Sequence, residues 1–288
     1  MDFKNGKELL DLCRENEMNI SDVMYRREVT EGDLPTDDVT YKMKASLDVM
    51  KRAASLSIET PLESTGGLIG GGAKKFADSA CRICGPILTD AISYAMSVLE
   101  VNASMGLIVA APTAGSSGVV PGCLLALEKH EDLSEDDLIA GLFNASAIGY
   151  LFMRNASVSG AEGGCQAEVG AASAMAASAM TELLGGTPEM CLDAAAFAVS
   201  NILGMVCDPI AGLVESPCQS RNAIGAANAF TAAQLSMAGI RHLIPFDEMV
   251  DCLDEVGRQL PKELRETALG GCACTPTACD LSCRIFGK

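Results

Sequence analysis

The sequence of 288 residues contains no tryptophan, and aromatic residues make up only 4% of it. A β-sandwich of this size needs more aromatic and β-branched side chains, so this shortage argues against an all-β fold. Hydrophobic residues nevertheless make up 49% of the chain, and glycine occurs 28 times. This combination suits closely packed helices and predicts a mainly α-helical protein with a sizeable core.

Basic residues are also scarce. Lys and Arg number 21 against 38 Asp and Glu, which gives a formal charge of −17. A surface of this sign repels polyanions, so we expect no nucleic-acid partner and no anionic membrane surface. Residues 1–5 lack the basic start of a signal peptide, and the most apolar segments, 105–111 and 194–206, are shorter than the roughly 18 residues of a membrane span. The protein is therefore expected to be cytoplasmic.

Several catalytic motifs are missing. Histidine occurs only twice, at His130 and His242, which limits His-based triads and His-rich metal sites. His130 is expected to be solvated in a charged loop. No GxSxG or HExxH motif occurs. Residues 70–75 (GGGAKK) do not form a P-loop, because Ala73 replaces the glycine before lysine and no Ser or Thr follows. A nucleotide-binding function is therefore not expected.

Apolar residues recur with helical spacing along most of the chain, and no strand pattern competes with it. Residues 1–60 are predicted to be N-terminal helices, and residues 61–288 to be the core that carries the site. Ser134 opens a capping box and marks one helix start. Without a repeat or a long linker, the chain (1–288) is expected to form a single compact helical domain whose tail from Gly270 is a loop. The helices are predicted over 6–17, 21–28, from Thr36 onward, 86–100, 135–153, 166–184, 189–204, 222–238 and 247–260.

Two loops rich in Gly, Ser and Thr lie between the predicted helices, at 64–72 and 112–122. Either loop can be a plain helix–helix turn. Either can instead form a nest of backbone N–H groups and hydroxyls around a small anion such as a carboxylate. Glycine suits the second role because it permits positive φ and close backbone approach. Spacing alone leaves both interpretations open.

Thirteen cysteines are the most unusual feature of the sequence. An odd count without an export signal favours reduced thiols, some of them metal ligands, over disulfides. Cys165, Cys207 and Cys218 are each expected at a helix end beside Gly or Pro and polar residues. A helix N-terminus favours thiolate over thiol, as expected for Cys165 and Cys218. One such cysteine alone is more often a small hydrophobic core residue, but three together favour metal ligands.

The other cysteines divide into three sets. Four are expected to be packing residues within or beside helices: Cys13, Cys123, Cys191 and Cys252. Four more form two close pairs that together could hold a structural zinc: Cys81, Cys84, Cys272 and Cys274. The last two lie four residues apart in the tail and are either redox-active or incidental: Cys279 and Cys283.

Four strings of the sequence resemble one family. The strings are APTAGSSGVVPG (111–122), NASVSGAEGGCQ (155–166), GCQAEVG (164–170) and CDPIAGLVESPCQSRN (207–222). They resemble, in the same order, the α chain of iron–sulfur-dependent L-serine dehydratase (L-serine ammonia-lyase). The resemblance extends from about Glu63 to Thr277, and the spacings of 42 and 11 residues between the three singled-out cysteines agree with it.

The resemblance implies a [4Fe–4S] cluster held by Cys165, Cys207 and Cys218. One iron would stay open and act as a Lewis acid on the hydroxyl of L-serine. A base would remove the Cα proton, and the aminoacrylate formed by loss of water would become pyruvate and ammonia. The sequence does not identify this base. Pyridoxal phosphate, which requires a Schiff-base lysine, is not implied, although Lys74 and Lys75 lie beside a Gly-rich loop.

The resemblance also gives the two loops a role in binding the substrate. One loop is expected to receive the substrate carboxylate through Ser64, Thr65, Gly66 and Gly67. The other is expected to line the opposite wall through Thr113, Ser116 and Ser117. Ser64, Thr65 and Ser117 are the catalytic candidates among them. Upstream of the first cysteine, Asn155 and Ser159 are further candidates.

In this family the α region works with a β region that carries an ACT-like regulatory fold, either fused or as a separate chain. Because no strand-rich segment occurs here, we expect a separate β chain and a homo- or hetero-oligomer. Fused relatives place a C-terminal cysteine in the site, and whether Cys279 or Cys283 does so here stays open. Three alternatives remain: a related lyase acting on L-threonine or L-cysteine, a non-catalytic iron–sulfur protein, and a structural zinc protein.

Overall fold

Helices account for the architecture of the chain. The structure, a computed structural model, describes residues 1–32, 35–80 and 83–287. Within these ranges, strand pairing is limited to two isolated β-bridges, Glu63–Gly70 and Cys207–Arg265. The prediction of a single compact, mainly α-helical domain is confirmed. The helices of the described ranges are α1 (Gly6–Asn16), α2 (Ile20–Glu31), α3 (Thr36–Glu59), α4 (Gly72–Ala77), α5 (Gly85–Ala103), α6 (Val119–His130), α7 (Glu135–Asn155), α8 (Gly160–Gly163), α9 (Ala171–Leu183), α10 (Pro188–Ser200), α11 (Cys218–Met237), α12 (Phe246–Gln259) and α13 (Pro276–Phe286).

The alanine-rich helix α9 lies at the centre of the core. It packs against α6, α7, α10 and α11. Its alanines between Ala171 and Ala179 are all completely buried. Small side chains allow neighbouring helix axes to approach closely, so one helix can be surrounded by several others. The abundance of alanine thus reflects close helix packing, as the composition predicts.

The second Gly/Ser loop is shorter than predicted, because α6 already begins at Val119. Two of its glycines serve helix packing. A Cβ atom at Gly122 would lie 2.7 Å from the backbone oxygen of Ala91 in α5. A Cβ atom at Gly118 would overlap the backbone of Ala95, also in α5. These glycines therefore let α5 and α6 pack closely. The loop that can contribute to a site comprises residues 111–118.

Three further boundaries differ from the prediction. Residues 166–170 form a π-helical segment before α9, α10 ends at Ser200, and α11 begins at Cys218. Residues 270–276, predicted as a loop with little room beyond it, contain a short 3-10 helix (Gly271–Cys274) and lead into α13, in which Thr275 caps the N-terminus through its side chain and Pro276 occupies the first turn. A Thr-Pro pair favours a helix start, and the loop prediction overlooked this signal.

Glu182, near the end of α9, connects the N-terminal helices to the core. Its carboxylate accepts hydrogen bonds from the N–H groups of Ile20 at 3.0 Å and Ser21 at 3.3 Å, and from Asn144 Nδ2 at 2.7 Å. The first turn of α2 is thereby capped by a negative charge, which the helix dipole favours. Burial raises the pKa of Glu182 despite these hydrogen bonds. This contact makes α2 part of the same packed unit as α7 and α9.

Several smaller predictions have clear outcomes. The capping box at the start of α7 is present, with Ser134 and Asp137 bonded reciprocally. His130 ends α6 instead of lying in a loop, and its Nε2 lies 2.7 Å from Asp90 Oδ2. None of the described helices is both long and apolar enough to cross a membrane. The cysteines expected to pack within helices are buried or partly buried: Cys13, Cys123, Cys191 and Cys252.

Candidate active site

Two of the three singled-out cysteines meet in the interior beside a carboxylate. The ligand atoms of Cys165, Glu168 and Cys207 all lie within 4.8 Å of one another. The two cysteines are only 3% and 1% exposed. Across the described part of the chain, this is the one group of three or more His, Cys, Asp or Glu side chains that is so close. The structure thus brings Cys165 and Cys207 together and adds Glu168, which the sequence analysis missed.

The backbone before and after Cys165 has an unusual conformation that positions both Cys165 and Glu168. Gly164 has a φ of +75°, and a Cβ atom there would lie 2.8 Å from the backbone oxygen of Met205. The π-helical segment 166–170 follows Cys165 directly. Such segments are rare in proteins overall, and those that occur are often at functional sites. Gln166 anchors its start, since its side chain donates to the Leu253 carbonyl at 2.8 Å and accepts from the Gly204 N–H at 2.7 Å.

Cys207 does not lie at a helix end, contrary to the prediction. It lies in an extended segment beyond α10, where its N–H donates to the Leu264 carbonyl at 2.8 Å and its carbonyl accepts from the Glu266 N–H at 2.6 Å. Gly160 faces this thiol and leaves space for it, since a Cβ atom at Gly160 would lie 3.1 Å from Cys207 Sγ and 2.6 Å from Glu168 Oε2. Long-range pairing and one glycine therefore place this thiol.

Cys218 is the first residue of α11 and is buried. Its thiol is not within 4.8 Å of all members of the group described above. Burial raises the pKa of Cys218, and the negative charges of Cys165 and Glu168 raise it further. The helix N-terminus therefore does not by itself produce a thiolate here. A bound metal would have to displace the proton.

Arg221 lies between Cys165 and Asp208. Arg221 Nη1 donates to Cys165 Sγ at 3.4 Å, and Arg221 Nη2 lies 2.6 Å from Asp208 Oδ1. A hydrogen bond from Cys207 lowers the pKa of Cys165, and the positive charge of Arg221 lowers it further, against the effect of burial. The hydrogen bond with Cys165 and burial raise the pKa of Cys207. Of these two thiols, Cys165 is the one set up to lose its proton first.

Glu168 is the carboxylate of the group and also contacts the second loop. Its Oε1 accepts a hydrogen bond from Thr113 Oγ1 at 2.7 Å. Burial raises the pKa of Glu168 to about 7, the Thr113 hydrogen bond opposes this shift, and the charge of Glu266 adds to it. Between Gly163 and Thr181, Glu168 is the only charged residue. A lone charge in an apolar helical stretch was the signal that could have identified it.

The predicted residues of the second loop reach this group to different extents. Thr113 touches Glu168 directly, and its Oγ1 lies 3.1 Å from Ser116 Oγ. Ser117 donates to the carbonyl of Ala114 in its own loop at 2.8 Å. Both serines are completely buried. Thr113 is therefore the residue of this loop that the structure joins to the cysteine group.

The hydrogen-bond donors of the first loop point at a second carboxylate, that of Glu215. Ser64 Oγ and the Gly66 N–H donate to the side chain of Glu215 at 2.5 and 2.6 Å. Thr65 Oγ1 donates to the carbonyl of Ala103 at 3.0 Å. Gly67, with a φ of +70°, completes the turn. The assignment of these residues to the substrate stays a prediction, and for Ser64 and Gly66 it competes with Glu215.

Asn155 and Ser159 lie outside the cysteine group. Asn155 Nδ2 donates to the carbonyls of Lys4 and Leu151, both at 2.9 Å. It lines a cavity of about 600 Å³ together with Arg154, Arg258 and Arg265. The backbone N–H of Ser159 donates to Ser157 Oγ at 3.2 Å.

The cysteines of the alternative zinc site are not gathered in the described residues. Cys81 lies outside those residues, while Cys84, Cys272 and Cys274 are exposed and belong to no close ligand group. Cys272 instead contacts Asp208, whose hydrogen bond raises the pKa of the Cys272 thiol. The tail cysteines are exposed residues of α13: Cys279 and Cys283.

Comparison with known proteins agrees with the resemblance seen in the motifs. A profile of the family described as "Serine dehydratase alpha chain" matches residues 5–273. The chain belongs to this family. It is 46% identical over 99% of its length to "Probable L-serine dehydratase, alpha chain" of Bacillus subtilis (strain 168), of which the match covers 96%. It is 43% identical over 96% of its length to "L-serine dehydratase, alpha chain" of Peptoniphilus asaccharolyticus, of which the match covers 95%.

Some members of the serine dehydratase α-chain family are similar to this chain over only part of their length. "L-serine dehydratase" of Streptomyces coelicolor is 36% identical over 96% of this chain, but the match covers 62% of that protein. The two relatives named as alpha chains are covered almost completely. Their names imply a separate beta chain in those proteins.

Proposed function

We propose that this chain is the cluster-bearing subunit of an L-serine dehydratase, which converts L-serine to pyruvate and ammonia. The observation that carries this proposal is the group formed by two buried thiols, Cys165 and Cys207, and the partly buried Glu168, with Arg221 beside Cys165. Family membership supports it, because relatives at 43% and 46% identity are named as chains of L-serine dehydratase.

The residues present suit an iron–sulfur cluster. Thiolates are the usual ligands of such clusters, and two thiols converge here while a third is buried at the start of α11. Gly160 leaves free the space that a side chain would fill. Cys165, Cys207 and Cys218 would hold the [4Fe–4S] cluster. When bound, the cluster would supply a Lewis acid for the departing hydroxyl group of serine.

The chain's own residues would then position the substrate and handle protons. Glu168 is held by Thr113 through Oε1, while its Oε2 faces Gly160 and Cys207. We assign Oε2 as the atom that holds or moves a proton next to the substrate. Thr113, with Ser116 and Ser117 behind it, would form one wall of the site. The hydrogen bond from Cys207 and the charge of Arg221 would both favour loss of the Cys165 proton.

We also propose that a separate β chain completes the enzyme. The relative from Streptomyces coelicolor, whose name "L-serine dehydratase" specifies no chain, is longer than this chain, and the match covers 62% of it. A second polypeptide would supply the remainder. Turnover of L-threonine and L-cysteine relative to L-serine would separate this proposal from a lyase with another substrate. A fourth protein ligand and reversible redox cycling without any effect of substrate would instead indicate an electron-transfer protein.

The first experiment is to measure iron and sulfide after anaerobic reconstitution. We expect about four irons per chain in the wild type, and loss of iron in each of Cys165→Ala, Cys207→Ala and Cys218→Ala. Cys252→Ala, in α12 and outside the site, is the matched control and should keep its iron. Absence of iron, or equal iron in all variants, would contradict the proposal.

A further inference from the structure

A buried glutamate fills the loop that the sequence assigns to the substrate carboxylate. Glu215 is only 2% exposed. Its Oε2 accepts hydrogen bonds from Ser64 Oγ at 2.5 Å and from the Leu68 N–H at 3.0 Å, and its Oε1 accepts from the Gly66 N–H at 2.6 Å. A hydroxyl and two backbone amides thus converge on one carboxylate, which is the arrangement of an anion-binding nest. The anion is a residue of the chain itself.

The shape of the loop fits Glu215 closely. A Cβ atom at Gly66 would lie 2.8 Å from Glu215 Oε1 and would overlap the side chain of Leu213. Ser64 Oγ also accepts a hydrogen bond from the Ile69 N–H at 3.2 Å, which closes the loop around the carboxylate. The glycine at position 66 is therefore explained by contacts within the chain. No approach of a ligand is needed to account for it.

Glu215 also belongs to the segment that leads into the Cys218 helix. Its backbone carbonyl accepts a hydrogen bond from the Gln219 N–H at 3.0 Å, in the first turn of α11. Gln219 Nε2 donates to the buried Glu100 at 2.7 Å, and the same oxygen of Glu100 accepts from the Gly72 N–H at 2.7 Å. Two buried carboxylates thus connect the Gly-rich stretch with the helix that begins at Cys218.

We propose that Glu215 is a positioning residue that fixes the Ser64–Leu68 loop against the start of the Cys218 helix. It follows that Ser64 Oγ and the Gly66 N–H do not bind the substrate carboxylate. This second statement rests on the proposed serine dehydratase function. The first rests only on contacts within the chain, so the two can fail separately.

Hydrogen exchange on the metal-free chain tests the positioning role. In Glu215→Gln one oxygen becomes an NH2 group, which cannot accept a hydrogen bond from a backbone N–H. Gly66 donates to Oε1 and Leu68 to Oε2, so the amide whose acceptor is replaced should exchange at least about tenfold faster than in the wild type, and the other should exchange faster to a smaller extent. Glu63→Gln, the same change at an exposed neighbouring residue, should leave both amides unaffected. Unchanged exchange in Glu215→Gln would overturn the proposal.

A second variant keeps the test decisive if Glu215→Gln does not fold. Ser64→Ala removes one donor and leaves the Glu215 carboxyl group in place, so faster exchange at Leu68, whose N–H donates to Glu215, would again support the positioning role. Unchanged exchange there would contradict it. Neither measurement requires iron or enzyme activity.

Kinetics of the reconstituted enzyme test the statement about the substrate. If Glu215 fills the loop, Ser64→Ala should change the KM for L-serine less than about threefold, while kcat and iron content fall together. If the loop binds the substrate carboxylate, Ser64→Ala should raise the KM at least about tenfold with iron content unchanged, because a hydrogen bond to a charged group is lost. The second pattern would overturn the inference.

Discussion

The two Gly/Ser-rich loops have similar compositions and enclose carboxylates of very different kinds. The first loop directs three hydrogen bonds at Glu215. The second loop directs one, from Thr113, at Glu168, which accepts no other in the described residues. A carboxylate can accept about four hydrogen bonds, so Glu215 is nearly satisfied and Glu168 is not. The loops thus differ in how completely they bind their carboxylate.

This difference separates a structural site from a reactive one. Burial with few hydrogen bonds disfavours the charged form of a carboxylate. Glu168 is such a group, since burial raises its pKa to about 7. Glu168 also lies with two cysteine thiols, and Glu215 belongs to no such group of three among the described residues. The glycine content of a loop therefore does not show whether the loop binds a substrate.

The largest effect should come from Glu168→Gln. This change removes the atom proposed to handle the proton but keeps the shape of the side chain and the contact with Thr113. We expect kcat for L-serine to fall by about 10²-fold or more, with iron content close to that of the wild type. Steady-state kinetics and iron analysis on the same preparation measure both. If kcat stays within about threefold of the wild type, Glu168 is not the proton-transfer group, and the contrast with Glu215 loses its basis.

The next largest effect should come from glycine substitutions beside the two carboxylates, which should affect iron binding differently. Gly160→Ala would place a Cβ atom 2.6 Å from Glu168 Oε2 and 3.1 Å from Cys207 Sγ, and Gly66→Ala would place one 2.8 Å from Glu215 Oε1. Each variant should lose about 1–3 kcal/mol of unfolding free energy through overpacking. Iron binding should fall more in Gly160→Ala, because only that change places a methyl group against Cys207, a proposed cluster ligand.

Urea unfolding of the metal-free chains and iron content after reconstitution provide the two measurements. Each glycine variant serves as the control for the other, since both add a single methyl group beside a buried carboxylate. Equal iron loss in the two variants would mean that the first loop contributes to the metal site as directly as the second does.

Much of the fold was predictable from local signals. Helical spacing, the Ser134 capping box and the low aromatic content identify the helices of a mainly α-helical domain. The π-helical segment at 166–170 was missed, because one extra residue in a turn leaves no periodic signature. The placement of Cys207 was also missed, since it depends on pairing with Arg265, far away in sequence. Local patterns predict elements, and long-range hydrogen bonds place them.

The site was predictable only in part for the same reason. Cysteine is an uncommon residue whose thiolate is a soft metal ligand, so Cys165 and Cys207 could be singled out from the sequence. Glu168, Arg221 and Asp208 are ordinary residues until the fold brings them to one point. Likewise, the sequence of the first loop indicates that it can bind an anion but not that Glu215 is that anion. An anion-binding loop and the side chain of the same protein that it binds can be recognised only when a structure gives the positions of both.

The smallest effect should distinguish the residues within the second loop. Thr113→Val removes the one hydroxyl that donates to Glu168, and the loss of a hydrogen bond to a charged group amounts to about 1.5–3 kcal/mol at most. We expect kcat for L-serine to fall about tenfold with unchanged iron content. Ser117→Ala removes a hydroxyl that bonds only to its own loop at Ala114, so its effect on kcat should be the smaller of the two. If Ser117→Ala has the larger effect, the second loop acts on the substrate through Ser117, and the hydrogen bond to Glu168 is not what distinguishes this loop from the first.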